Sequence, residues 1–439
     1  MIEDMRIAVL YLATCCLTGT AVTAQQVPPT PQALTIYEAH LESGKAAVRQ
    51  SRYQEATRQL QLAIEDAQSM VPPDPELLAK ALDVLCDLEL LIGRYEDAVP
   101  LAERAVVALD MPGNSGLAPH LVRLAAAYRA AGRSADSEAP MKRALSLDIA
   151  KEGPNGERVT ADYDVLGSIY SELKRLGDAR DAYAASLASR TQRLGPDHIE
   201  LATVYLNLAS VDDRDKQPKA ARADYERALA ISEKKLGEES YSLTGILDRL
   251  GLMLRRDKRY GEAEPVLQRS LSIREKSLGA KHSDVAQALD NLALTYFYGN
   301  KLAESEPLFM RSLKIWEGTQ GPDSPLVALA LDNLGALYSA QQRYAEAEPL
   351  FRRALSIRER QDLESLSNLA LLYEATKDNK DAELLYQRAL LIGEKPMGGE
   401  RMDVGSTLQA YATFLRANGR NAEAARVESR LKELRAAAK

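Results

Sequence analysis

A single phrase, Tyr-x-x-Ala-x-x-x-(Leu/Tyr/Phe)-x-x-(Ala/Ser)-Leu, recurs down this chain at a nearly fixed step, beginning for example at Tyr260 and Tyr344. Its first small residue falls at Ala56, Ala98, Ser137, Ala179, Ala221, Ala263, Ser305, Ala347, Ala382 and Ala424. The steps between them are 42, 39, 42, 42, 42, 42, 42, 35 and 42 residues. A period of this size marks supersecondary units stacked side by side, because one such unit cannot bury its apolar face alone. The core of such an array grows lengthwise, so 439 residues need not divide into several closed domains.

Each period reads as two helices. Ala286, Leu289, Leu292, Ala293 and Tyr296 recur mostly three or four apart, which is one face of a helix. Gly299-Asn300-Lys301 then predicts a stop, since Gly and Asn tolerate left-handed backbone. Leu302, Ser305, Leu308, Phe309, Ser312, Leu313 and Trp316 predict the buried side of a second helix, and Gly318 to Pro325 closes the unit. Where two antiparallel helices cross closely, only a small residue leaves room for the opposing chain. Gly167, Ala209, Gly251, Ala293, Gly335 and Ala370 take that part on first helices. Ala63, Ala105, Ala144, Ser186, Ala228, Ser270, Ser312, Ala354 and Ala389 take it on second helices. Tyr53, Tyr95, Tyr260 and Tyr344 are expected to plug the turn between the two. The result is an all-α solenoid of about ten helix-turn-helix units over residues 35–435. A charged last helix with Arg426, Glu428, Arg430, Lys432, Glu433 and Arg435 caps it.

These residues resemble the tetratricopeptide repeat, whose usual length is about 34 residues. Ser272 to Gly279 supplies two further helical turns and a Gly stop, which accounts for the longer period. Leu-Ser-Ile-Arg-Glu, Leu-Gly-x-x-His and the Leu289–Ala293 run Leu-Asp-Asn-Leu-Ala are similar to the kinesin-light-chain class of these repeats. The resemblance is weakest in the first three units, where Asn is absent from the matching position and Gly113 to Gly116 interrupts. It implies a right-handed superhelix whose first helices line a concave binding face. The 35-residue step between Ala347 and Ala382 lacks the extra turns and should alter the pitch locally.

The N-terminus reads differently. Ile7 to Val22 is largely apolar, and small residues precede the polar Gln25-Gln26, so residues 1–24 read as a signal peptide cleaved after Ala24. Glu3-Asp4 is unusual there, and a start at Met5 would give a basic leader. Leu12 to Cys15 is close to a lipobox but has Thr before the Cys. Residues 25–34 read as a Pro-rich linker. The chain is therefore expected to be exported, to the periplasm or beyond, with no membrane span after the leader.

Composition excludes several functions. The charge of −7 is modest and both signs are interleaved, which does not suit a nucleic-acid-binding surface. His40, His120, His198 and His282 are far apart, and there is no HExxH or paired Cys-x-x-Cys to hold a metal. His198 and His282 occupy equivalent loops, which favours a packing role. Cys86 stands alone in the repeats as a small hydrophobe. No phosphate-cradling loop, nucleophile elbow or convergent acid-base set is present, so neither a cofactor nor an enzymatic activity is expected.

A binding role remains. In the kinesin-light-chain class an Asn two residues before the small first-helix position faces the groove and holds extended peptides. The resemblance carries that role to Asn207, Asn291, Asn333 and Asn368, while Val165 and Arg249 depart from it. Arg255 and Arg256 follow one to two turns on, and Asp248, Asp290 and Asp332 are expected to give the groove a mixed charge. An amide can bracket a peptide unit because it both donates and accepts. The alternative use of the same Asn is to brace the neighbouring helix. The expected function is a scaffold that takes a peptide segment or protein partner in the groove. A structural role in envelope assembly, through the convex face or self-association, is the competing class. Phe297 and Tyr298 read as packing residues.

Overall fold

The computed structural model describes residues 30–437 apart from 72, 112, 113, 115, 358–362 and 394–404. The leader lies outside the described residues, as does the linker up to residue 29. From Pro31 onward there is no spacer. Thr30 Oγ1 accepts from the Ala33 N–H at 3.4 Å, and Pro31 opens the first helix, where its missing N–H costs nothing. The Pro-rich composition was thus in part a helix-start signal.

The described residues form twenty α-helices and one short 3-10 turn, with no strand. Their contacts divide the chain into two compact units, residues 1–196 and 197–439. The first holds α1 (Pro31–Arg49), α2 (Tyr53–Ser69), α3 (Pro75–Leu91) and α4 (Tyr95–Leu109). It continues with α5 (Ala118–Ala130), α6 (Glu138–Glu152), α7 (Glu157–Glu172) and α8 (Leu176–Leu194). The second opens with α9 (Glu200–Arg214), α10 (Pro218–Leu236), α11 (Thr244–Arg256) and α12 (Tyr260–Leu278). Then come α13 (Ser283–Tyr298), α14 (Leu302–Gln320), α15 (Pro325–Ala340) and α16 (Tyr344–Ile357). It ends with α17 (Leu363–Ala375), α18 (Asn379–Gly393), α19 (Gly405–Ala417) and α20 (Asn421–Ala437). Consecutive helices pair into hairpins, four in the first unit and six in the second.

The small positions behave as the packing argument requires. All ten small residues of the recurring phrase, from Ala56 to Ala424, are fully buried. A Cβ built on Gly335 would lie 2.7 Å from the Phe351 ring, on Gly167 2.7 Å from the Tyr183 ring, and on Gly251 2.5 Å from Leu267. In these three hairpins the first helix therefore has no side chain at the point where a large side chain of the second helix crosses it.

The turn inside each hairpin is set by one left-handed residue, and Lys258, Asn300 and Gln342 hold φ near +60°. The residue after it donates back to the helix: Arg259 N to Leu254 O at 2.9 Å, and Lys301 N to Tyr296 O at 2.8 Å. The Gly299 expectation is corrected here, since its φ is −78° and Asn300 alone makes the left-handed turn. Gly153, Gly195, Gly237, Gly279 and Gly321 play the matching part between hairpins, with φ from 80 to 87°. The tyrosines expected to plug the turn are instead the first residues of second helices, and Tyr53 and Tyr95 stay exposed.

Neighbouring hairpins of the second unit are also braced at equivalent points. Arg353 donates to Glu317 at 2.6 Å and to the Pro322 carbonyl at 3.1 Å. Arg269 and Arg311 make the same paired contact with Glu233 and Glu275 and with the Glu238 and Ala280 carbonyls. The last helix leaves Arg426, Arg430, Lys432 and Glu433 exposed and buries Ala424 and Leu431, as a cap needs.

Candidate ligand groove

Asn207 on α9, Arg249 on α11, Asn291 on α13, Asn333 on α15 and Asn368 on α17 occupy equivalent points on consecutive first helices of the second unit. α11, α13, α15 and α17 each touch the next, so Arg249, Asn291, Asn333 and Asn368 form a row, and Asn207 holds the equivalent point on α9. Asn207, Asn333 and Asn368 are half-buried, Asn291 is 8% exposed, and Arg249 is exposed. None of the four amides makes a hydrogen bond to another described residue. Asn291 engages its neighbours through its main chain. Its carbonyl accepts from Thr295 Oγ1 at 2.8 Å and from Arg255 Nη1 at 3.3 Å.

The adjacent aspartates do not line a groove, which corrects the expected mixed charge. Asp290 and Asp332 are buried and Asp248 is half-buried, and each of the three lies on a first helix beside its Asn or Arg. Asp248 accepts from Arg274 at 2.6 Å and from Ser270 at 2.6 Å. Asp290 accepts from Trp316 Nε1 at 2.9 Å. In the first unit Asp164 pairs with Arg190 at 2.6 Å. Burial pushes Asp290 up to about 6, with the Ser312 and Trp316 donors opposing it. The Arg or Trp partner stands 26 residues after its Asp in these three pairs, a spacing the sequence displays but which is easily missed beside the dominant 42.

Arg249 and Arg255 come together in a depression of about 670 Å³ within the second unit. The four Asn residues do not line it. Arg249 and Tyr225 both line it. Arg256 pairs with Asp213, the one acid of the lining. Arg255 is different: its polar contact is the Asn291 carbonyl, and burial pulls its guanidinium below the usual arginine range. Tyr298 and Tyr260 are the groups that partly offset this. Tyr298 is 57% exposed, so its expected packing role is corrected; Phe297 holds it edge-on at 5.3 Å. The sequence pointed to Arg249, Arg255 and Arg256 but not to their companions, because α9, α10, α11, α12 and α13 all contribute to the depression.

The remaining candidates are structural. His282 Nδ1 accepts from the Asp284 N–H at 3.1 Å and caps α13, and Ser324, 42 residues on, caps α15 through the Leu326 N–H at 3.1 Å. His198 Nδ1 faces the Glu200 N–H at 3.4 Å in the same way. Cys86 is fully buried, and burial pushes its thiol up to about 12, which leaves it without thiolate character. No cluster of three metal-ligating side chains occurs among the described residues. No helix among them is long and apolar enough to cross a membrane.

The tetratricopeptide repeat profile matches residues 157–234, 243–309 and 299–360, and a second tetratricopeptide repeat profile matches 363–397. Together they cover just over half of the chain. The chain belongs to the tetratricopeptide repeat family.

Among solved structures, the repeat protein is similar to the apo form of RapI, at 14% identity and a TM-score of 0.52, over 91% of this chain and 98% of that one. It is also similar to BtubC (BKLC) from P. vanneervenii, at 20% identity and a TM-score of 0.43, over 54% of this chain and 92% of that one. A putative kinesin light chain from Podosopora anserina matches at 20% identity and a TM-score of 0.42, over 47% of this chain and 96% of that one. No curated protein matches the chain. Tetratricopeptide repeat proteins generally mediate protein–protein interactions. In this repeat protein the helical hairpins extend well ahead of residue 157, where the profile match begins.

Proposed function

We propose that the chain is an exported, non-catalytic scaffold that holds an extended peptide segment, or such a segment of a partner protein, along the first helices of its second unit. The observation that carries this reading is the row of Asn207, Asn291, Asn333 and Asn368, whose amides make no hydrogen bond to other described residues. An amide without a hydrogen bond to another described residue is poised to bracket a peptide unit, donating to its carbonyl and accepting from its N–H. Such recognition is independent of side-chain sequence, so specificity comes from residues that differ between repeats, such as Arg249 where the row would have a further Asn.

The test is co-purification of partners from the native host with the wild-type chain and with Asn291→Ala/Asn333→Ala. Loss of partners from a folded double variant supports the groove. Full retention rejects it and favours attachment through the opposite face.

A further inference from the structure

We propose that the depression around Arg255 is a binding site for a phosphate monoester. The proposal extends the groove reading at Arg249 and Arg255, but it rests on different observations, since none of the four row amides lines the depression.

Several arginines of the second unit are matched to acids. Arg222, Arg259, Arg269, Arg274, Arg311 and Arg343 each meet a carboxylate. Arg255 has no such partner among the described residues, although it is half-buried and stripped of much of its water. Its carbonyl contact at 3.3 Å is long for a charged donor. A desolvated cation without a counter-charge is unfavourable in the empty protein and becomes favourable when an anion enters. Arg249 and Lys258 are exposed and have no acidic partner among the described residues. The Arg256–Asp213 pair neutralises itself. The lining therefore presents three uncompensated positive charges.

Three cations exceed what one carboxylate would balance. A phosphate monoester carries about −1.5 to −2 at neutral pH and offers three acceptor oxygens, which suits two guanidinium forks and an ammonium. The volume of about 670 Å³ exceeds what the phosphate alone needs and lies within the range of small-molecule sites. Tyr298, exposed at the rim, supplies a ring against which the organic part can lie.

The test is isothermal titration calorimetry of the full chain with O-phospho-L-tyrosine, a phosphotyrosine peptide and succinate. Saturable binding of a phosphorylated probe is expected, with succinate weaker. Arg255→Met should weaken it at least about tenfold, and its unliganded melting temperature should not fall. Lys258→Asn, which keeps a residue suited to the left-handed turn, should weaken binding without loss of fold. Equal affinity for the amino acid and the peptide assigns a small phosphate ester; tighter binding of the peptide assigns a phosphorylated segment. Absence of binding at millimolar probe, succinate binding as tightly, or unchanged affinity in both variants overturns the proposal. Asn291→Ala/Asn333→Ala should leave probe binding intact, which separates failure of this site from failure of the amide row.

Discussion

Arg255 on α11 donates through Nη1 to the carbonyl of Asn291 on α13, at 3.3 Å. The contact links two successive first helices through the main chain of one of them and leaves the Asn291 side chain unused. Thr295 takes the same carbonyl at 2.8 Å. In this repeat, bracing between helices and the candidate contact to a ligand are thus divided between the backbone and the amide of one residue.

This division predicts how the Asn row responds to truncation. If the amides braced the neighbouring helix, each Asn→Ala change would cost roughly 1–2 kcal/mol, the loss of a half-buried hydrogen bond. Without such bonds, Ala is the better helix former by roughly 0.5 kcal/mol. Thermal melts of Asn291→Ala and Asn333→Ala should therefore show melting temperatures equal to or above wild type. A clear drop in both would return these residues to a structural role.

In the first unit, Asp162 on α7 is buried beside Asp148 on α6. Burial first, then the Asp148 charge and hydrogen bond and Glu152, push Asp162 up to about 7, while Arg158 pulls it down. An unfolded Asp ionises near about 3.9. Between these two values the native state holds a proton that the unfolded state has lost, so stability falls as pH rises through that window and is level above it. Asp162→Asn should stabilise the chain at pH 8 by about 2 kcal/mol, with the advantage shrinking toward pH 4. Melting curves at both pH values check this, and an advantage that grows on acidification would reverse the sign of the coupling.

The hairpins were legible in the sequence because their cause is steric and local. A residue that must be small recurs at the helix crossing in every copy, and Ala56 through Ala424 are buried as that demands. The site was legible only in part. Position along the helix placed Asn207, Asn291, Asn333 and Asn368 in one row, but one residue's difference in register sends Asp290 into the core to meet Trp316. Such partners lie 26 residues away on another helix, and helical periodicity alone does not pair them. Tyr298 was misread because apolar content said nothing of its place at the end of α13, where the neighbouring turn leaves it exposed.

The caps offer a prediction from equivalence. His282 and Ser324 stand 42 residues apart and cap α13 and α15 by the same contact, to the N–H two residues on. His282→Ser should preserve stability, whereas His282→Ala should cost about 0.5–1 kcal/mol. Denaturant midpoints of the two variants decide it, and equal losses in both would mean that the imidazole acts by packing.

Turn chemistry predicts a gain. Lys174 is left-handed at φ 60°, a conformation that costs a residue with a Cβ roughly 1 kcal/mol and that Asn, whose short amide can hydrogen-bond locally, tolerates better, as Asn300 does in an equivalent turn. Lys174→Asn should raise stability by roughly 0.5 kcal/mol, measured as a higher denaturant midpoint at unchanged slope.

The crossing point separates Gly copies from Ala copies of the same position. Ala293 is accommodated beside Phe309 in one buried cluster, while a Cβ on Gly335 would meet the Phe351 ring at 2.7, 2.9 and 3.0 Å. Phe351 is 2% exposed and confined by Leu334, Leu337 and Ala347, so the ring cannot retreat into solvent. Ala is intrinsically the better helix residue by about 1 kcal/mol, which alone would make Gly335→Ala stabilising. Contacts under 3 Å with a fixed ring are the larger effect, and overpacking of this kind costs roughly 1–3 kcal/mol. Gly335→Ala should therefore lower the melting temperature, as should Ala347→Leu on the opposing helix. Gly335→Ala combined with Phe351→Val, which removes the ring atoms lying 2.7, 2.9 and 3.0 Å from the added Cβ, should recover part of the loss. A double variant no better than Gly335→Ala would show that the helix separation, rather than the ring, sets the limit.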